Sequence, residues 1–316
     1  MDNLILYRGE AFNSNFYYFS KCDIDHALFL SKGEKRYLFV PEMNQLQAEK
    51  EFDGEIIVYK DLFKELKPFI NGKMFSIDAS SLSTRFYIKL RKLCSLQDVS
   101  EKLSVIRAVK DKNELEQLIK AAKISKKILG AVDFSDMRTE MDIRHYLLAS
   151  TLKHKAEPAF EPIVASDRNA SLPHYRPGNI KLGNMVLIDY AVKYNHYCAD
   201  LTRCFFLKQD KQKKAAYETT KQIFHEIVDE LPNLRTGKQL AILSEKLFRK
   251  YRLPQLIHSI GHGVGLDVHE FPRLSRRFND KLAKSVLAIE PAAYFRDFGV
   301  RFEDLVYFDG KKGRIL

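Results

Sequence analysis

The sequence predicts an α+β protein in which helices gather around antiparallel strand pairs, with a smaller α/β domain ahead of them. Three observations in the 316 residues predict this. The first hundred residues mix strand-like runs rich in β-branched and aromatic side chains, such as 37–40 and 56–59, with helical stretches such as 82–93. A freshly capped helix opens after the polar run at 104–110. Beyond it, long amphipathic helices alternate with strand pairs joined by short connections, which favours antiparallel hairpins over a doubly wound sheet.

In chain order, Asp111-Lys112-Asn113-Glu114 reads as a capping box, and Leu115, Leu118, Ile119 and Ala122 then share one helical face up to Gly130. This start places the domain boundary near Lys110, giving an N-terminal α/β domain over 1–110 and a main domain over 111–316. A second helix is expected over 139–154, with Thr139 and Asp142 at its start. Two more are expected over 211–231, stopped by Pro232, and 237–251, stopped near Pro254. One hairpin should pair 186–190 with 197–202 through Tyr194-Asn195-His196, and another should pair 286–294 with 300–308. No repeat recurs at the period of about 20 to 50 residues typical of solenoids.

Composition narrows the function. A hydrophobic fraction of 45% and a charged fraction of 29% describe a globular chain. No window supplies the roughly 20 apolar residues of a membrane span, and the N-terminus lacks the basic start of a secretion signal, so a cytoplasmic location is expected. Cys22, Cys94, Cys198 and Cys204 are too scattered for a disulfide framework or a zinc knuckle and are expected to be buried thiols. The net charge of +11 invites nucleic acid. However, Lys120, Lys123, Lys126 and Lys127 read as the solvated face of one helix, so no nucleic-acid partner is expected.

The informative residues are acids in apolar runs. Asp and Glu are poor strand formers, yet Asp189 and Asp200 sit on the arms of the first hairpin, and Glu290 and Glu303 on those of the second. Any one alone reads as an ion-paired or edge-strand acid. Four brought together repel by several kcal/mol unless cations neutralise them. Residues 257–270 add His258, His262 and His269 among glycines that allow close backbone approach. Four carboxylates and an imidazole suit Mn²⁺, Co²⁺ or Fe²⁺ at least as well as Zn²⁺, and two divalent ions would balance four negative charges.

From about Arg107 onward these residues resemble the pita-bread metallopeptidase family, above all prolidase and aminopeptidase P. The resemblance is carried by Ile163-Val164-Ala165-Ser166, Leu172-Pro173-His174-Tyr175, Ile188-Asp189, Ala199-Asp200-Leu201-Thr202-Arg203, the histidine stretch, Ile289-Glu290-Pro291, and Gly299-Val300-Arg301-Phe302-Glu303-Asp304. It implies a pita-bread catalytic domain behind a creatinase-like N-terminal domain. It also implies two divalent metal ions per chain: Asp189 would hold one, His262 and Glu290 the other, and Asp200 and Glu303 both. Glu290 would shuttle a proton to and from the attacking water, His174 and His269 would bind substrate and its oxyanion, and His258 and Arg301 would support the site.

The activity so implied is hydrolysis of peptide bonds preceding proline in Xaa-Pro dipeptides or short peptides, by a homodimer with no membrane partner. The alternatives are an Xaa-Pro aminopeptidase acting on longer peptides and a non-catalytic binding module, which the complete ligand set disfavours. Phe160 matches an aromatic of the prolidase pocket and equally reads as a core residue behind a strand. Arg273 matches an arginine that holds a dipeptide's free carboxylate and equally reads as solvated near Arg276 and Arg277. Ala191, His196 and Asp167 stand where the family usually has glycine, departures that bear on substrate range rather than on the ligands.

Overall fold

The computed structural model describes residues 3–316 and divides into two compact units, Met1–Arg107 and Ala108–Leu316. The first unit runs β1 (Leu4–Arg8), α1 (Ser14–Ser20), β2 (Ala27–Lys32), β3 (Lys35–Pro41), α2 (Gln45–Glu51), β4 (Glu55–Tyr59), α3 (Leu62–Ile70), β5 (Met74–Ile77), α4 (Thr84–Arg91), β6 (Ser95–Asp98) and α5 (Ser100–Ala108). Its six strands form one mixed sheet in the order β4-β3-β2-β1-β5-β6. Apolar residues fill both faces. Leu4, Leu6, Phe29, Leu38 and Val40 pack with Phe16 and Leu103. Their neighbours Ile5, Leu28, Leu30 and Phe39 pack on the other face with Leu66, Phe75 and Leu90. The near-continuous apolar runs of these strands follow from that double coverage.

The second unit continues α6 (Lys112–Gly130), α7 (Glu140–Lys153), β7 (Glu157–Pro158), β8 (Ile163–Ser166), β9 (Met185–Asp189), β10 (Val192–Tyr194), β11 (Tyr197–Cys198), β12 (Thr202–Phe206), α8 (Lys211–Glu230), α9 (Gly237–Lys250), β13 (Gly261–Gly263), β14 (Glu270–Arg273), β15 (Ser285–Ile289), β16 (Ala292–Tyr294), β17 (Gly299–Arg301), β18 (Asp304–Phe308) and β19 (Gly313–Ile315). The expected caps are in place. Asp111 accepts from the Glu114 N–H at 2.8 Å, and the Glu114 carboxylate accepts from the Asp111 N–H at 2.9 Å. α7 and α9 open on Thr139 and Thr236 with capping boxes of the same kind. Phe224, Ile227, Leu240 and Phe248 of α8 and α9 pack against Leu187, Leu287, Ile289 and Val306 of the sheets. All four cysteines are free and buried. Among the described residues, no helix is long and apolar enough to cross a membrane.

The two expected hairpins are each split, and the split makes the site. β9 pairs with β12, Asp189 opposite Thr202, while β10 and β11 pair separately in another sheet, Lys193 opposite Cys198. β15 pairs with β18 and β16 with β17 in the same fashion. The chain therefore steps from one sheet to another at residues 190–191, 199–201, 290–291 and 302–303. Asp189 ends a strand, and Asp200, Glu290 and Glu303 lie in the steps rather than inside ladders. A carboxylate at such a step does not compete with a continuous ladder, which resolves the poor strand propensity of these acids.

A buried ion pair anchors the turn ahead of His269. Lys110 Nζ lies 2.8 Å from Glu270 Oε2, with side-chain exposures of 1% and 3%, and the other Glu270 oxygen accepts the Asp267 N–H at 3.0 Å. Replacing Lys110 takes a buried counter-charge away from the buried Glu270 carboxylate. Lys110→Met is expected to cost about 3–5 kcal/mol, read as a fall of roughly 10 °C in Tm by calorimetry; an unchanged Tm would remove this pair from the account of stability.

Candidate metal centre and active-site cavity

The strand register gathers the acids. An isolated bridge joins Thr202 to Glu303, with the Glu303 N–H donating to the Thr202 carbonyl at 3.2 Å. Thr202 faces Asp189 across β9 and β12, so Asp189 and Glu303 become neighbours although more than a hundred residues separate them. On the adjoining sheet Gly261 pairs with Ile289 and His262 with Ala288, and the Glu290 N–H donates to the Ile260 carbonyl at 2.9 Å. That ladder needs glycine, because a Cβ on Gly261 or Gly263 would lie 2.0 Å from a backbone oxygen of β15 or β14.

The result is a cavity of about 600 Å³ lined by Asp189, Asp200, His262, Glu290 and Glu303, together with Phe160, His174, His258, His269 and Arg301. Ligand-capable oxygens of Asp189, Asp200 and Glu303 lie within 4.8 Å of one another, as do the corresponding atoms of Asp200, His262 and His269. His262 Nε2 is 3.5 Å from Asp200 Oδ2 and 4.0 Å from Glu290 Oε1. Arg301 is the only arginine or lysine among these lining residues. Its Nη2 binds Asp189 Oδ2, its Nε donates to Thr202 Oγ1 at 2.9 Å, and its Nη1 reaches the Tyr294 hydroxyl at 3.3 Å. Thr202 Oγ1 in turn donates to Glu303 Oε2 at 2.6 Å.

The electrostatics call for cations. Carboxylates about 4 Å apart repel by roughly 4 kcal/mol per pair at an effective dielectric near 20, more than one guanidinium offsets across four acids. Burial first, then Glu303, Asp189 and Glu290, push the Asp200 carboxyl well above the usual range. Burial with Glu290 and Asp189 does the same to Glu303. Burial lifts Glu290 to about 7 against the pull of Arg301. Burial lowers His262 to about 3, with help from His269, so its imidazole is neutral and offers a lone pair. One observation tests the fit directly: Asp189 Oδ1 is buried without a hydrogen-bond partner among the described residues, whereas buried acceptors are almost always satisfied. An oxygen-rich donor set with an unsatisfied carboxylate oxygen fits divalent cations.

Nearly every residue singled out in the sequence meets this cavity. Phe160 lines it half-buried, so it is not a core residue. His174 and His269 are exposed at it, and the His269 ring meets His262 edge-on at 4.2 Å. His258 sits with Nδ1 3.8 Å from Glu290 Oε2 and Nε2 3.0 Å from the Tyr294 hydroxyl. Arg273 is the correction. It is not among the lining residues; its Nε and Nη2 hold Asp280 at 2.8 and 3.0 Å, with the guanidinium 3.6 Å from the Phe278 ring centre. A bidentate partner already occupies the fork that a substrate carboxylate would need.

Thr202 and Tyr294 are participants the sequence reading passed over; Thr202 stood inside the Asp200 motif and was the one legible signal. The three positions that depart from glycine have different settings. Asp167 has φ 44°, the left-handed region that favours glycine. Its carboxylate accepts from the Asn184 and Met185 N–H groups at 2.8 and 3.2 Å and from Lys213 Nζ at 2.6 Å, fixing the start of β9. His196, φ 69°, lies in the β10–β11 turn and is not a cavity residue. Ala191 is buried at the step after β9.

Residues 116–309 match the family model described as Metallopeptidase family M24. An uncharacterised peptidase of Methanocaldococcus jannaschii is 32% identical over 293 residues, covering 89% of this chain and 81% of the relative. A Pyrococcus horikoshii protein named Xaa-Pro dipeptidase is 30% identical over 311 residues, covering 94% and 88%. Among solved structures, a prolidase from Pyrococcus horikoshii superposes with a TM-score of 0.90 at 27% identity, over 100% of this chain and 93% of that one. An X-Pro aminopeptidase from Thermotoga maritima shares the fold, also at 0.90, with 24% identity over 99% and 94%. The architecture is thus the expected pita-bread arrangement, and the chain belongs to metallopeptidase family M24.

Proposed function

We propose that this protein is a metal-dependent Xaa-Pro dipeptidase, hydrolysing the peptide bond that precedes proline, with Asp189, Asp200, His262, Glu290 and Glu303 holding two divalent cations. The observation that carries the reading is the convergence of four carboxylates and a neutral imidazole on one cavity, with Asp189 Oδ1 left unsatisfied. The similarity to proteins named Xaa-Pro dipeptidase at 28% and 30% identity, over more than nine tenths of this chain, supports the substrate class.

When bound, such cations supply a water deprotonated near neutral pH and an electrophile for the scissile carbonyl. The side chains do the rest. Glu290 takes a proton from the attacking water and returns it to the leaving proline nitrogen, its Oε2 facing His258. His174 and His269, exposed at the cavity, donate to the substrate carbonyl oxygen as negative charge develops there. Phe160 and Val268 offer the proline ring an apolar wall. The metals are of the Mn²⁺, Co²⁺, Fe²⁺ or Zn²⁺ class, suited to oxygen-rich donors. By resemblance the reading extends to a cytoplasmic homodimer, and light scattering on the purified protein reads the assembly.

The test is hydrolysis of Xaa-Pro dipeptides and of Xaa-Pro-Xaa tripeptides with Mn²⁺, Co²⁺ or Zn²⁺, before and after chelation. Dipeptide cleavage that is lost on chelation and regained with added metal is expected. Exclusive cleavage of the longer peptides would convert the assignment to an aminopeptidase, and chelator-resistant activity would end the metal mechanism.

A further inference from the structure

Glu140, the first residue of α7, is fully buried, yet among the described residues its carboxylate is held by neutral groups rather than by a cation. Four donors do so. Oε1 accepts from the Ser166 N–H and from Asn169 Nδ2, each at 2.8 Å. Oε2 accepts from the Tyr175 hydroxyl at 2.9 Å and from the Gly178 N–H at 3.2 Å. Asn169 Nδ2 is also 2.9 Å from the Tyr175 hydroxyl, so the donors brace one another. A carboxylate offers about four acceptor sites, and here each is used. The N-terminal end of a helix further favours a negative charge at this position.

The four donors lie on one stretch of chain: Ser166 ends β8, Asn169 sits in the 3-10 turn Asp167–Ser171, and Tyr175 and Gly178 follow. This stretch leaves β8 at Ser166, carries Pro173 and His174 to the cavity, and runs on through Gly178. Between Asn169 and Gly178 its own backbone bonds include the Leu172 N–H to Asn169 at 3.1 Å and the Tyr175 N–H to Leu172 at 3.2 Å. Past the 3-10 turn Asp167–Ser171, no helix or strand forms over 172–178 among the described residues. The contacts to Glu140 fall before His174, immediately after it, and three residues further on, so they fix the backbone on both sides of that imidazole.

We propose that Glu140 is a positioning residue for His174: its buried carboxylate holds the 166–178 loop so that the imidazole meets the substrate carbonyl oxygen without first having to be ordered. This rests on His174 being a substrate-facing donor, as the proposed function has it. Preorganisation of this kind acts on the transition state more than on ground-state binding.

The test uses the full-length, metal-loaded protein and the variants Glu140→Gln and Tyr175→Phe, each alone and combined with His174→Ala. Glu140→Gln keeps the volume but turns an amide NH₂ toward two of the four donors. It is expected to lower kcat/KM on an Xaa-Pro dipeptide roughly 10–100-fold, the loss an outer-sphere orienting partner typically causes, mainly in kcat and with metal content unchanged. Tyr175→Phe removes a single donor, so it tests the clamp even if Glu140→Gln fails to fold; a loss of roughly threefold or more is expected. In the His174→Ala background either change should cost less than about twofold, because the group being positioned is gone.

A second readout does not need turnover. The His174 imidazole resonance, assigned by its absence in His174→Ala, should shift or broaden in Glu140→Gln and Tyr175→Phe while that of His258 stays in place. Equal losses with and without His174, loss of metal alongside loss of rate, or an unmoved His174 resonance would each overturn the proposal. If the wild-type protein cleaves no Xaa-Pro peptide, the functional reading fails, and the imidazole resonance still decides whether Glu140 orders His174.

Discussion

Asp200→Asn and Glu303→Gln are each expected to reduce kcat/KM on Xaa-Pro dipeptides on the order of 10³-fold or more. Each replaces a charged donor by a neutral amide at the centre of the acid cluster, where Asp200 lies 3.5 Å from His262 and Glu303 accepts from Thr202 at 2.6 Å. Cation-based stabilisation of a transition state is worth several kcal/mol, and each 1.36 kcal/mol is about tenfold in rate. Metal content should fall with activity, measured by atomic emission on dialysed protein. The same substitutions should leave the metal-free protein as stable as the parent or more stable, because they remove the burial cost and the mutual repulsion that together keep these carboxyls well above their ordinary range. Loss of rate without loss of fold separates a site residue from a structural one. Near-parental turnover with a full metal complement in either variant would defeat the assignment.

Legibility followed chemistry that is local in the chain. α6 through α9 could be read because capping residues and prolines mark helix ends within a few positions: Asp111 with Glu114, Thr139 with Asp142, and Pro232 just past α8. The acids could be read because Asp189 and Glu290 interrupt strongly apolar runs. The split of each hairpin could not. β9 with β12 and β10 with β11 have the same alternation as one long hairpin, and nothing in that period marks a step between sheets at Tyr190 and Ala191. Arg273 illustrates the other limit: seven residues separate it from Asp280, and only the folded turn between them brings the pair together. Nothing in the sequence sets Glu140 apart from an ordinary acid in a helical first turn, since its four donors come from chain that begins 26 residues later at Ser166.

Arg301→Lys should separate holding the ligands from merely balancing their charge. The parent guanidinium is fully enclosed among acids and makes three directed contacts, to Asp189 Oδ2, Thr202 Oγ1 and the Tyr294 hydroxyl. Lysine keeps the positive charge but concentrates it on one atom and cannot reproduce a planar fork. If Arg301 acts only as a counter-charge, the lysine variant should retain its rate. If it orients Asp189, whose other oxygen has no hydrogen-bond partner among the described residues, then Arg301→Lys should lose roughly 10–100-fold in kcat/KM or metal affinity, the scale typical of partners that orient a ligand. The second outcome is expected, because Thr202 joins Arg301 to Glu303 as well: one misplaced side chain then loosens Asp189 on β9 and Glu303 ahead of β18 together. Arg301→Met, which lacks the charge too, should be worse than Arg301→Lys by a further measurable factor; equal rates for the two would show that the charge itself contributes nothing beyond the lost fork.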